Sequence, residues 1–152
     1  MFRERSLALG IAAPALVLVG LATAASAAPR VRPFDGQFRD TPCGSPRAGE
    51  LKLCGTGRIR NFGSVTSTVL VRRTAVDAIP GCATYTGTRT LTFAKEKSKL
   101  RLAIRGPACA RRSWGRFTIV TGTGVFSDAK GQGVIWGTPF RLRYFGVLML
   151  RK

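Results

Sequence analysis

Over residues 99–105 the chain alternates with period two: Lys99, Arg101 and Ala103 fall on one face, Leu100, Leu102 and Ile104 on the other. Successive side chains of a strand point to opposite faces, so this stretch predicts a strand with one wet and one dry side. The same texture recurs along the chain from Leu51 onward. Residues 57–61 alternate through Arg58, Ile59 and Arg60; residues 65–76 are rich in Val and Thr; residues 82–94 carry Tyr85, Leu91 and Phe93 among threonines. Residues 114–121 hold Phe117, Ile119 and Val120, residues 133–136 form a short run, and residues 141–150 hold Leu142, Tyr144, Val147 and Leu148. Pro80-Gly81, the polar stretch 95–98 and Gly106-Pro107 punctuate these runs as turns. No window beyond the first 27 residues has the 3.6-residue period of an amphipathic helix.

Six or more strands separated by glycine-rich turns predict an all-β domain, a closed antiparallel barrel with a two-sheet sandwich as the other architecture. Closure removes exposed strand edges. Residues 28–50, with Pro29, Pro33, Pro42 and Pro46, read as an irregular N-terminal arm, which leaves residues 51–152 as the barrel domain.

Residues 1–27 read as a signal peptide. Arg3 and Arg5 form a basic start, residues 7–21 are apolar, and Ala25-Ser26-Ala27 gives the small-x-small pattern of a cleavage site. The uncharged stretch 6–29 is nearly long enough to span a bilayer, but the cleavage pattern and Pro14 favour export over an anchor. Secretion with cleavage near Ala27 is the expectation.

The four cysteines, Cys43, Cys54, Cys82 and Cys109, all follow that site, and an even number in a small exported protein predicts two disulfides. A metal site is disfavoured by the lack of CxxC spacing and of any His. Four cysteines allow three pairings, and a hairpin turning on Lys95 and Glu96 selects one. Opposed residues then sum to 191, which sets Cys82 across from Cys109 and leaves Cys43 for Cys54.

Composition adds charge. The 152 residues hold 25 Lys plus Arg against 7 Asp plus Glu, a formal net charge of +18. Loss of Arg3, Glu4 and Arg5 with the leader leaves 23 basic and 6 acidic side chains, so the charge belongs to the mature domain. Arg58, Arg60, Lys99, Arg101, Arg105 and Arg116 are candidates for a basic outer surface that attracts anionic envelope polymers or lipid headgroups. The plainer account is that arginine solubilises the outside of a β domain. Export argues against nucleic acid as the partner.

The most distinctive stretch is GTGVFSDAKGQG at residues 122–133. It is not a P-loop, because Lys130 is followed by Gly131 and then a strand rather than by Ser or Thr opening a helix. It reads instead as a tight connection between strands, with Phe126 plugging the core. With Gly122, Gly124, Phe126, Ala129, Gly131 and Gly133 it resembles the GTGxFxxAxGxG signature of small secreted bacterial β-barrels related to the allene oxide cyclase and dirigent superfamily. Arg89 to Phe93 and the Gly106 and Cys109 region add to the likeness, while Asp128 departs from the glycine common there. The resemblance implies an eight-stranded antiparallel barrel with a cavity, and carries over no activity.

Catalytic chemistry is thin. Without His there is no Ser-His or Cys-His pair, and the mature carboxylates Asp35, Asp40, Glu50, Asp77, Glu96 and Asp128 are scattered. No cofactor is expected. The reading is a non-catalytic secreted barrel that binds a small apolar ligand in a cavity lined by Leu91, Phe93, Leu102, Ile104, Phe117 and Ile119. A cationic envelope-associated protein and a cyclase-like enzyme are the alternatives.

Overall fold

A computed structural model describes residues 28–44, 46–76 and 80–151. The expected leader over residues 1–27, and Asp77, lie outside the described residues. Eight strands occur among those described: β1 (Arg30–Gly44), β2 (Glu50–Ile59), β3 (Gly63–Val76), β4 (Cys82–Phe93), β5 (Ser98–Cys109), β6 (Ser113–Gly122), β7 (Lys130–Thr138) and β8 (Arg141–Leu150). Each pairs antiparallel with the next, and β1 pairs with β8, so the sheet closes as a barrel. The all-β, single-barrel expectation holds.

The supposed irregular arm, residues 28–50, is corrected: it contains β1, the strand that closes the barrel. Its inward positions are Phe34, Gly36, Phe38 and Asp40, all buried. Glycine and aspartate at two of those four positions hide the apolar period. Proline lacks an N–H and is confined to places where the ladder does not need one; Pro42 stands at a β-bulge, where the register to β2 shifts between Pro42 and Gly44.

The β4–β5 hairpin has the expected register, with Phe93 opposite Ser98 and Cys82 opposite Cys109. Both disulfides form, Cys43–Cys54 and Cys82–Cys109. The pairing is compatible with an extracellular or otherwise oxidising compartment. Both bridges sit toward the same end of the barrel, where β1 and β5 finish and β2 and β4 begin.

The opposite end is plugged. After β6 the chain makes a short 3-10 turn, Gly124–Phe126, which drops Phe126 into the interior. Gly124 has φ 60°, and a Cβ there would collide with Ser98 Oγ. That hydroxyl accepts from the Val125 N–H (3.2 Å) and donates to the Glu96 carbonyl (2.8 Å), so the turn is tied to the β4–β5 hairpin. Phe126 packs on Phe93 and Phe62 at ring separations of 4.6 and 5.4 Å, above a core that includes Leu100 and Leu148.

Candidate ligand cavity

The disulfide-bearing end is open to a different kind of interior. A cavity of about 330 Å³ lies there, walled by side chains that include Leu51, Leu53, Val69, Val71, Ile104 and Leu142. This is the lower part of the size range of small-molecule sites. Tyr85, Trp114 and Phe140 line it beside these aliphatic side chains, whereas the rings of Phe62, Phe93 and Phe126 pack against one another at the other end.

Arg89 of β4 and Tyr144 of β8 line the cavity as fully buried polar residues, and Tyr85, Arg105 and Ser113 line it as well. Arg89 is fully buried. Its phase in the strand is that of Leu91 and Phe93, so alternation itself drives it inside. A buried guanidinium is tolerable only when paired and hydrogen-bonded. Arg89 Nη1 and Nη2 donate to the two carboxylate oxygens of Asp40 at 3.3 and 2.5 Å, a bidentate fork. Nη1 also donates to Ser67 Oγ at 2.8 Å, and Nε to the Tyr144 hydroxyl at 2.9 Å. The guanidinium carbon lies 4.4 Å from the Phe38 ring centroid and 4.8 Å from that of Tyr144, close enough for cation–π attraction.

Neighbouring strands make room for this network. Gly55 of β2 stands opposite Asp40 in register. A Cβ at that position would run into the Arg39 carbonyl and crowd Asp40 Oδ1. The glycine is therefore the seat of the carboxylate. Asp40 is held from its other side through its backbone, whose N–H donates to the Phe140 carbonyl at 3.0 Å.

Burial pushes the Tyr144 phenol above its ordinary pKa; the charge and hydrogen bond of Arg89 pull the other way, and the Asp40 carboxylate adds to the rise. The folded barrel thus keeps this proton at pH values where an unfolded chain has lost it. The contribution to stability is level below the ordinary phenol value of about 10 and falls as the pH climbs above it. Thermal melts taken from about pH 8 to 11 are expected to show Tm falling above about pH 10 more steeply in the wild type than in Tyr144→Phe. Parallel slopes in the two proteins would contradict the assignment.

Of the six residues expected to line a cavity, Ile104 does so. Leu91, Phe93, Leu102, Phe117 and Ile119 belong to the packed core instead. Aromatic side chains on neighbouring strands fill the space they face: Phe117 touches Phe34 and Tyr144 at ring separations of 5.1 and 5.4 Å. Arg89, Asp40, Ser67 and Tyr144 are not among the residues that the sequence points to as a site. The six expected basic positions, Arg58, Arg60, Lys99, Arg101, Arg105 and Arg116, are all exposed.

No protein-family model matches this chain, and no curated protein does.

The outer wall carries a second concavity, an open groove of about 910 Å³ across β1, β2 and β8. Arg39, Arg58, Arg141, Arg143 and Trp136 line it. Arg39 stands opposite Arg141, and Gln37 lies between Arg58 and Arg143 in register. Arg143 lies against Trp136 and Phe145 and approaches Asp35 at 3.8 Å. No carboxylate among the described residues pairs with Arg39, Arg58 or Arg141.

Proposed function

We propose that this is a secreted, disulfide-stapled barrel of the allene oxide cyclase/dirigent-like kind that binds a small apolar ligand without transforming it. The observation that carries the reading is the cavity at the stapled end, apolar on its walls and polar where Arg89 and Tyr144 meet it. A site of that construction takes up hydrophobic surface from water and orients it by a few polar contacts. The two disulfides hold the strand ends around the cavity, so binding costs little ordering of the protein. Binding rather than catalysis is favoured because both oxygens of Asp40 are engaged by Arg89 and so are not free to move a substrate proton.

Titration with the uncharged fluorescent probe N-phenyl-1-naphthylamine tests this. Saturable one-site uptake is expected, together with at least a 10-fold loss in Ile104→Trp, whose larger ring occupies the cavity. Unsaturable uptake, or uptake indifferent to Ile104→Trp in a folded variant, would overturn the reading. Native mass spectrometry of the secreted form adds a check on compartment: a chain starting after Ala27 and lighter by the hydrogens of two disulfides.

The outer groove favours a second reading, an envelope-associated protein that binds anionic polymers through Arg39, Arg58, Arg141 and Arg143. Charge-driven retention is steeply salt-dependent. Retention on an anionic wall polymer is expected to fall with salt and to fall further in Arg39→Gln/Arg141→Gln than in Lys99→Gln/Arg101→Gln. Equal loss in both pairs would leave only diffuse charge.

A further inference from the structure

The donor inventory of the cavity's polar end is uneven. A guanidinium has five N–H groups. Four of those of Arg89 are spent, on Tyr144, Ser67 and the two oxygens of Asp40. The fifth, on Nη2, shares an edge of the planar guanidinium with Nε–H and so lies on the Tyr144 side. The Tyr144 hydroxyl accepts from Nε and has a proton of its own to give, and no acceptor for it occurs among the described residues. Two donors thus converge at a buried place that adjoins a cavity, where an unpaired polar group is costly. The formal charge there is already cancelled, since Asp40 and Arg89 form a bidentate pair in the dry interior. Nearer the rim, Ser113 Oγ lines the same cavity, is buried, and has no hydrogen-bond partner.

We infer that the cavity selects an uncharged apolar molecule carrying an acceptor oxygen at its inner end, a ketone or other carbonyl, which receives hydrogen bonds from the Tyr144 hydroxyl and the remaining Arg89 Nη2–H. This rests on the cavity reading above and specifies the ligand class. A carboxylate is selected against. At the inner end the one cation, Arg89, is already neutralised by Asp40, so a carboxylate placed there would be desolvated without an unpaired positive charge to meet it; the other lining cation, Arg105, is exposed to solvent. A hydrocarbon is accepted but leaves the donors unpaired. Ser113 supplies a further polar point for a second oxygen toward the mouth.

The test uses three probes on one skeleton: 1-tetralone, tetralin and tetralin-1-carboxylate, each displacing N-phenyl-1-naphthylamine from the intact protein. Tetralone is expected to bind roughly 10-fold tighter than tetralin, the scale of one hydrogen bond made in a desolvated site, and the carboxylate weakest of the three. In Tyr144→Phe the preference for tetralone over tetralin is expected to shrink to about 2-fold, carried by the Arg89 N–H alone. Should Tyr144→Phe fail to fold, the infrared carbonyl stretch of tetralone bound to the unmodified protein serves instead: a shift to lower wavenumber than in hexane is expected. Equal affinity for tetralone and tetralin, an unshifted stretch, or tightest binding by the carboxylate would each overturn the inference while leaving a cavity that binds apolar molecules. Failure of all three probes to bind would remove the cavity reading itself.

Discussion

Asp40→Asn is expected to lower stability by about 3–5 kcal/mol, the cost of leaving a buried cation without its partner. The substitution preserves shape, so the Gly55 seat still fits and packing is not the cause. What changes is that Arg89, with no exposed surface, faces an amide in place of a carboxylate. For a domain of this size that loss corresponds to a fall in Tm on the order of 10–20 °C. Arg89→Met is expected to cost less than Asp40→Asn, because an isolated buried carboxylate can take up a proton and a guanidinium cannot give one up. The double variant Asp40→Asn/Arg89→Met is expected to recover most of the loss, since neither charge is then stranded. Thermal melts of the four proteins form a cycle with a coupling of about 2 kcal/mol or more. A coupling near zero would mean that the pair is solvated and that its burial imposes nothing.

This result bears on function because an ion pair is a poor way to fill a barrel. Apolar residues of similar volume are commonly at least as stabilising as a buried pair. A sequence that breaks the apolar rule at Asp40, Arg89 and Tyr144 together does so beside a cavity that Arg89 and Tyr144 line. Departures from local rules are expected where a site is built.

Most of the barrel was legible, and the reason is periodicity. β5 alternates over residues 98–105 and then runs on through Gly106-Pro107, which are paired in the ladder and not a turn; the polar turn before the strand fixed a register that placed Cys82 opposite Cys109. The loop ahead of β7 was legible through glycine and through one aromatic residue in a polar stretch. β1 was not, because two of its inward positions are Gly36 and Asp40 and because its prolines suggested a coil. The polar floor was missed for a related reason. In sequence, Asp40 stands as one scattered carboxylate in a proline-rich stretch, and Arg89 as the start of the stretch to Phe93 that carries the family likeness. Yet the phase was present: Arg89 is two residues from Leu91 and four from Phe93, and Tyr144 is four from Leu148. A cation and an anion each falling on an inward phase need one another, and that is the signal a sequence could have supplied. The cavity is less accessible to such reasoning. Which half of a barrel is filled depends on how side chains from several strands meet in space, and Leu91 and Ile104 look alike until the rings of Phe34, Phe117 and Phe126 are placed.

Phe126 is the second residue from which a large effect is expected. It lies in a short turn rather than a strand, yet it is completely buried and closes the end of the barrel opposite the cavity. Truncation to alanine removes the ring contacts with Phe93 and Phe62 and leaves a void that the barrel cannot collapse around, since the surrounding strands are held in a closed ladder. Phe126→Ala is expected to cost about 3–5 kcal/mol and to lower Tm on the order of 10–20 °C. Because the plug and the cavity occupy different ends, the variant that remains folded below its Tm is expected to bind N-phenyl-1-naphthylamine with unchanged affinity at the stapled end. It is also expected to show a second, weaker uptake where the ring was removed, as cavities lined by apolar groups admit apolar molecules. Phe126→Leu, which refills most of the volume, is expected to restore stability to within about 1.5 kcal/mol of the wild type. A fall of only a degree or two in Phe126→Ala would show that the turn does not close the barrel. Loss of probe affinity at the first site would show that the two ends of the interior are coupled, and that the plug holds the floor formed by Arg89 and Tyr144 in place.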